Sequence, residues 1–156
     1  MKYIVIFLLL PFLAFSQSRK GVSPIANSPR NSSEPTAGLT YAVVVGISDY
    51  QDKDIPDLRF VDKDAEAFAN FLRSPAGGSL DGDYLKVLTN IQATAGRIAE
   101  ALDALIEKAK KDDQVIIYFS GHGDVEGKKI SQPGFLLCWD APSRVYMGGG
   151  TYSLSF

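Results

Sequence analysis

The chain has 156 residues, of which 46% are hydrophobic and 22% are charged, and its formal net charge is -2. These values suit one ordinary globular domain, and the acidic balance argues against a protein that binds the phosphate backbone of nucleic acids. A single cysteine, Cys138, excludes an intramolecular disulfide, so the fold must depend on packing.

The N-terminus has the pattern of a secretory signal peptide. A positive residue precedes an apolar run over residues 4–13, and Ala14 and Ser16 supply the small residues that a signal peptidase recognises. The run is shorter than the roughly 20 residues of a membrane span, so a retained membrane anchor is the less favoured alternative. We expect residues 1–16 to be removed on export to the periplasm or the extracellular space. Residues 17–38, rich in Ser, Asn and Pro, are then a flexible linker.

We expect residues 39–156 to form one α/β domain. Apolar, β-branched runs predict strands at 39–47, 84–88, 114–119 and 134–139. Apolar residues at helical spacing predict a helix over 62–73 and another that runs from a Thr94 cap to Ala109. This β-α-β-α-β order predicts parallel strands joined by right-handed crossovers, with the helices on the sheet faces. The first and third strands are the most apolar, so we expect them to be neighbours.

The only histidine, His122, follows the third predicted strand in the sequence Ser-Gly-His-Gly-Asp. Open α/β sheets bind ligands at the carboxyl ends of their strands, and imidazole titrates near physiological pH. The polar loop 49–57 leaves the first strand at the same edge, so both loops are expected to open into one crevice. His122 is therefore a candidate catalytic residue, and the alternative is a turn with an incidental histidine.

Three segments of the chain resemble the caspase and metacaspase cysteine peptidases: Tyr-Ala-Val-Val-Val-Gly-Ile-Ser-Asp-Tyr at 41–50, Leu-Arg-Phe-Val-Asp-Lys-Asp-Ala at 58–65, and Tyr-Phe-Ser-Gly-His-Gly-Asp at 118–124. The resemblance runs from about residue 40 to the end. It implies a three-layer caspase-like fold, in which helices flank a mostly parallel sheet that is incomplete at the C-terminus. It also implies a Cys-His dyad in which His122 activates a thiolate against a peptide or protein substrate, with the Gly123 N–H helping to bind the oxyanion.

The chain departs from this family at the nucleophile. The family's cysteine follows its histidine by about 50 residues, which places it beyond Phe156. We therefore expect an N-terminal part of a catalytic domain that needs a missing C-terminal part, with residues 153–156 beginning the next helix. Cys138 lies too close to His122 in sequence, and its apolar neighbours Leu137 and Trp139 predict a buried, inert thiol.

Three further residues are candidates for binding substrate: Asp49, Arg59 and Asp124. In the resembled families, caspases use arginines to recognise an acidic residue, whereas metacaspases place acidic groups to receive Arg or Lys. Arg59 fits the first pattern, but its neighbours Leu58 and Phe60 suit the metacaspase pattern better. The resemblance therefore favours substrates with Arg or Lys.

The loop after the first strand carries four acidic residues, Asp49, Asp52, Asp54 and Asp57. Carboxylates are calcium ligands, but the spacing does not match an EF-hand loop and its glycine is missing. We predict a solvated acidic loop and no metal or cofactor, with calcium as the alternative.

Three other classes of protein compete with the peptidase. An α/β-hydrolase needs a Gly-x-Ser-x-Gly elbow downstream, and the sequence has none. A dinucleotide-binding fold needs its glycine fingerprint after the first strand, whereas the glycines of this chain that could resemble it follow the third strand. The third alternative is an exported caspase-like pseudoenzyme that serves as a binding or scaffold module.

Overall fold

The computed structural model describes residues 38–125, 134–145 and 149–154. The expected signal peptide and the expected linker, except for Gly38, lie outside these residues, and so do Ser155 and Phe156. Within the described ranges, no helix is long and apolar enough to cross a membrane.

A three-stranded parallel sheet forms the centre of the domain. Its order is β2-β1-β3, and Val44 in the middle strand is paired with Val87 on one side and Tyr118 on the other. The predicted neighbours, the first and third strands, are thus confirmed, and the second strand lies at an edge of this sheet. The strands span Thr40–Gly46 (β1), Leu85–Thr89 (β2) and Gln114–Ser120 (β3).

Two helices cover opposite faces of this sheet, α1 over Val61–Arg73 and α2 over Ala95–Lys108. Alternate side chains of β1 point to opposite faces, so Ala42 and Val44 pack in the cluster with α1 while Val43 packs in the cluster with α2. From the central β1 the chain crosses to β2 and then back to β3, and two right-handed crossovers in opposite directions place their helices on opposite faces. The predicted three-layer architecture, with helices on both faces of a parallel sheet, is confirmed.

The helix boundaries agree with the sequence pattern to within one residue. Thr94 caps α2 as predicted, since its side chain accepts the N–H of Arg97 at 3.3 Å. The Oδ1 atom of Asp140 accepts the N–H of Ala95 at 2.9 Å. Helix α1 begins after Phe60, whose φ of 69° lies in the left-handed region and which offers no side-chain cap.

A second sheet is antiparallel, in the order β4-β5-β6. Its strands are Gly123–Val125 (β4), Gly134–Leu137 (β5) and Thr151–Leu154 (β6). The fourth predicted strand is therefore correct but ends two residues early, and β4 was not predicted.

The expectation of a helix beginning at Ser153 is wrong. Ser153 pairs with Phe135 and Leu154 pairs with Gly134, so both belong to a strand. The segment Thr151–Leu154 alternates polar and apolar residues, which is the period of a strand, and it pairs with the edge of β5 that β4 leaves open.

Strand β3 is less covered than its composition suggests. The side chains of Val115 and Ile117 are 42% and 59% exposed, respectively, whereas Val43 and Val45 in β1 are buried. Within the described part of the chain, β3 is an edge strand of the parallel sheet and has a partner on one side only.

Candidate functional site

His122 lies at the turn that links the two sheets. It follows β3, directly precedes β4, and is only 4% exposed. A side chain at Gly121 would place its Cβ 2.9 Å from the hydroxyl oxygen of Tyr50 and 3.1 Å from the ring of Phe119. Glycine is needed at position 121 because the chain passes so close to these two rings.

The loop after β1 contacts His122 at two points. The backbone N–H of His122 donates to the Tyr50 hydroxyl oxygen at 2.7 Å, and Nε2 of the imidazole lies 2.7 Å from the carbonyl oxygen of Pro56. A carbonyl oxygen only accepts, so Nε2 carries the proton in this bond. In the neutral ring Nδ1 is then the basic nitrogen, which is the state a general base requires.

Hydrogen bonds to the segment after β5 fix this loop. The N–H of Gln51 donates to the carbonyl oxygen of Trp139 at 3.0 Å. The carboxylate of Asp52 accepts the N–H of Ser143 at 2.7 Å and that of Asp54 at 3.0 Å. These N–H groups, that of Ser143 first, hold the pKa of Asp52 below its usual value. At least one carboxylate of the acidic loop therefore has a structural role.

A second polar network joins the ends of β1 and β2 to the start of α1. The Ser48 hydroxyl donates to Oδ1 of Asp62 at 2.6 Å, and the Asn90 amide donates to Oδ2 at 3.4 Å. The Asn90 oxygen in turn accepts the N–H of Ser48 at 2.8 Å. The Ser48 hydroxyl is the main reason that the pKa of Asp62 is lowered. This network sets the path of the chain where it leaves β1 towards the loop that contacts His122.

The predicted substrate-binding residues surround the same edge of the sheet. Asp49 and Arg59 are exposed, and Asp49 comes directly after Ser48. The segment that carries Arg59 is tied to the end of β1, because the N–H of Leu58 donates to the Ser48 carbonyl oxygen at 2.6 Å. Both side chains are therefore accessible to a ligand at the carboxyl ends of the strands.

Gly123 and Asp124 lie in β4, paired with Leu136 and Phe135, respectively. The side chain of Asp124 is half-buried, and its Oδ1 atom accepts the N–H of Val125 at 2.8 Å. The Leu137 N–H donates to the His122 carbonyl oxygen at 2.9 Å. Strand β5 therefore fixes the backbone on the carboxyl side of His122.

Cys138 is fully buried, as predicted. It packs in the core between the sheet and α2, and burial raises the pKa of its thiol to about 12, with a smaller contribution from Asp140. A thiol with such a pKa is protonated at neutral pH, and the thiolate is the form that attacks a carbonyl. This environment is the opposite of that of a catalytic cysteine.

Tyr50 and Pro56 were not predicted as site residues. The sequence contains both, but Pro56 acts through its carbonyl oxygen, which every residue has, so no side-chain pattern indicates it. Tyr50 offers a weak signal in retrospect, since a large aromatic residue in a polar loop is expected to pack inward.

The carboxylates around the loop do not gather into a cluster of metal ligands within the described residues. Within residues 38–125, 134–145 and 149–154, no group of three or more His, Cys, Asp or Glu side chains is arranged to hold a metal ion. Calcium binding stays the alternative to the prediction of a solvated acidic loop without a metal.

Comparison with known protein families identifies the fold. The caspase domain family model matches residues 39–149, which is most of the chain and includes both loops at the site. No curated protein matches the chain. The parallel sheet and its two covering helices agree with this match. The chain therefore belongs to the caspase-domain family of cysteine peptidases.

Proposed function

We propose that this protein is the histidine-bearing part of a caspase-like cysteine endopeptidase, with His122 as its general base. The observation that carries the proposal is the 2.7 Å contact between His122 Nε2 and the Pro56 carbonyl oxygen. It commits the ring proton to Nε2 and makes Nδ1 the nitrogen that accepts a thiol proton. Family membership supplies the reaction class, which is peptide-bond hydrolysis through a cysteine nucleophile.

In the proposed reaction, Nδ1 of His122 takes the thiol proton and the thiolate attacks the carbonyl carbon of the scissile bond. Negative charge develops on the carbonyl oxygen, and the Gly123 N–H helps to stabilise it. The imidazolium then gives its proton to the leaving amine, and the C–N bond breaks. Water hydrolyses the resulting thioester with His122 again as base, which releases the acid and restores the thiol. These steps need no cofactor.

The nucleophile of this proposal is a cysteine outside the 156 residues. Two observations support this assignment. Cys138 is buried and its pKa is raised by burial, and the exposed apolar side chains of Val115 and Ile117 on β3 leave a surface that another strand and helix would cover. A C-terminal part that pairs with β3 would bring its cysteine to the edge of the sheet where His122 lies.

The proposed substrates are peptides or proteins with Arg or Lys at the cleavage site. Support comes from the exposed carboxylate of Asp49 and from Asp124, two residues after His122. Arg59 is proposed to contact the substrate at the same edge. If the protein instead cleaved after acidic residues, Arg59 would be the residue that recognises the substrate side chain. The N-terminal sequence pattern supports export through a signal peptide, as an expectation that secretion of the tagged precursor would test.

The alternative function is that of an exported pseudoenzyme that binds a partner without cleaving it. The specific observation in its favour is that Cys138 is buried and that burial raises its pKa, so this thiol does not act as a nucleophile. The intact Ser-Gly-His-Gly turn and the buried, bonded imidazole favour the peptidase.

The test is cleavage of a panel of Arg-, Lys- and Asp-containing fluorogenic peptides by the complete product of the gene that encodes this sequence. We expect cleavage after Arg or Lys that is lost in His122→Ala and kept in Cys138→Ala, with circular dichroism to confirm that both variants fold. Loss of activity in a folded Cys138→Ala variant would contradict our assignment of the nucleophile. Absence of cleavage by a folded wild-type protein would favour the pseudoenzyme.

A further inference from the structure

We propose that Tyr50 is a positioning residue for His122: its hydroxyl fixes the backbone from which the imidazole and the Gly123 N–H both project. The inference rests on the proposed function for its catalytic meaning, but the positioning itself is a property of the resting protein. Tyr50 does not touch the reacting atoms in this account and acts through His122.

The contact between the two residues is short and lies between two buried side chains. The Tyr50 side chain is 1% exposed, and its hydroxyl oxygen accepts the His122 N–H at 2.7 Å. The tyrosine ring and the imidazole are also neighbours, with centroids 5.2 Å apart and planes at 43°. His122 is itself buried, and a buried N–H that loses its acceptor is costly.

Tyr50 and Pro56 belong to one loop, and this loop is bonded both to the backbone and to the side chain of His122. The hydroxyl of Tyr50 holds the backbone nitrogen, and the carbonyl of Pro56 holds ring atom Nε2. Two fixed points on one residue define both where the side chain begins and where it points. Loss of the first contact would therefore turn the imidazole away from the second.

Hydrogen bonds of its own fix the loop that carries Tyr50. Its Gln51 N–H is bonded to the carbonyl oxygen of Trp139, and the Lys53 ammonium donates to the Tyr50 carbonyl oxygen at 3.1 Å. Burial raises the pKa of Tyr50 far above its usual value, so the hydroxyl stays neutral over the whole working range of a peptidase. At Gly121 the missing side chain leaves the space that the hydroxyl needs.

The functional consequence concerns two groups at once. Gly123 follows His122 directly, so a shift of the His122 backbone displaces both the base and the proposed oxyanion donor. Displacements of about 1 Å at a reacting centre can lower the rate about a hundredfold. Tyr50 would thus affect turnover more than substrate binding.

The experiment compares the Tyr50→Phe variant with wild type by amide hydrogen exchange at His122 and by the ¹⁵N shifts of its imidazole. Phenylalanine keeps the ring and removes only the acceptor. The matched control is Tyr152→Phe, which also removes one hydroxyl contact, the 2.8 Å bond to the Ala95 carbonyl oxygen. We expect exchange at the His122 amide to become about tenfold faster in Tyr50→Phe, with a smaller fraction of the Nε2–H tautomer. We expect neither change in Tyr152→Phe.

Unchanged exchange and imidazole shifts in a folded Tyr50→Phe variant would overturn the inference. If that variant does not fold, amide exchange in the wild-type protein tests the inference. An unprotected His122 amide in the native protein is incompatible with a buried bond to Tyr50. Neither measurement needs peptidase activity, so a failure of the proposed function leaves this result intact. Where activity is measurable, positioning predicts a lower kcat at nearly constant KM in Tyr50→Phe.

Discussion

The imidazole Nε2 of His122 is bonded to the backbone carbonyl of Pro56, a residue 66 positions earlier in the chain. The orientation of the proposed base is therefore set by a main-chain atom of a loop that leaves the central strand. The direction of the imidazole therefore depends on the path of the loop, while the Tyr50 hydroxyl holds the backbone nitrogen of the same residue.

The first prediction follows from the nature of this acceptor. Pro56→Ala keeps the carbonyl oxygen, so we expect the Nε2–H tautomer of His122 to be retained, with a loss of up to about 1 kcal/mol in folding free energy from the greater freedom of the unfolded chain. Imidazole ¹⁵N shifts and thermal unfolding measure the two effects. Pro75→Ala, at an exposed proline that begins a 3-10 turn, is the control for the stability term. A change of tautomer in folded Pro56→Ala would show that the proline ring itself positions the histidine.

Gly121→Ala should disturb the site directly. The new Cβ would lie 2.9 Å from the Tyr50 hydroxyl oxygen and 3.1 Å from the Phe119 ring, and overpacking of this kind costs roughly 1–3 kcal/mol. Urea unfolding measures the loss. The control is Gly96→Ala in α2, where a Cβ meets nothing within 4 Å and alanine should stabilise the helix by up to about 1 kcal/mol. Equal stability of the two variants would contradict the close approach at Gly121.

The Cys138 thiol should not react with alkylating reagents in the folded protein. We expect iodoacetamide at pH 8 to modify it only after urea unfolding, as read by mass spectrometry, because the folded thiol has a pKa of about 12 and no exposure. Rapid modification of the native protein would mean that the thiol is accessible, and would contradict our conclusion that Cys138 is not the nucleophile.

The raised pKa of Cys138 also predicts a pH dependence. The unfolded thiol loses its proton near its ordinary pKa of about 8.5, whereas the folded thiol keeps it up to about pH 12. The unfolded state thus binds fewer protons in this window, and folding stability falls as the pH rises through it. Buried tyrosines contribute in the same direction above pH 10, so the difference in slope between wild type and Cys138→Ala isolates the cysteine. Parallel slopes for the two proteins would contradict the raised pKa.

The lowered pKa of Asp62 predicts a loss of folding stability at acid pH, whereas the raised pKa of Cys138 predicts a loss at alkaline pH. Its pKa is lowered chiefly by the Ser48 hydroxyl, so its contribution to stability is present above its ordinary pKa and is lost as the pH falls through the lowered value. Asp62→Asn should cost roughly 1–2 kcal/mol at pH 7 and should reduce the acid-dependent loss of stability. Asp64→Asn, at an exposed carboxylate in the same helical turn, should leave that dependence unchanged. Equal acid sensitivity of the two variants would show that Asp62 is not stabilised by Ser48.

Much of the fold was predictable because it follows from local patterns. The apolar runs of β1 and β3 and the helical spacing in α1 and α2 are strong signals, and Thr94 has the chemistry of an N-cap. The position of His122 after β3 followed from strand order alone. The burial of Cys138 followed from its apolar neighbours.

What could not be predicted depends on contacts between distant residues. The register of β6 is set by its pairing with β5, but its alternation of polar and apolar residues was a local strand signal, so the assignment of Ser153 to a helix was an error. The carbonyl of Pro56 and the hydroxyl of Tyr50 act on His122 only after the loop has folded back on the β3–β4 turn. The sequence indicated the base but not the two groups that hold it.

The most direct test of the account is the ¹⁵N spectrum of the imidazole, since His122 is the only histidine in the chain. We predict that the neutral ring of the folded protein is the Nε2–H tautomer, with Nδ1 unprotonated and the Nε2 proton slow to exchange. A ring protonated at Nδ1, or a tautomer mixture with the fast exchange of an exposed histidine, would contradict the claim that Pro56 holds His122 as a general base.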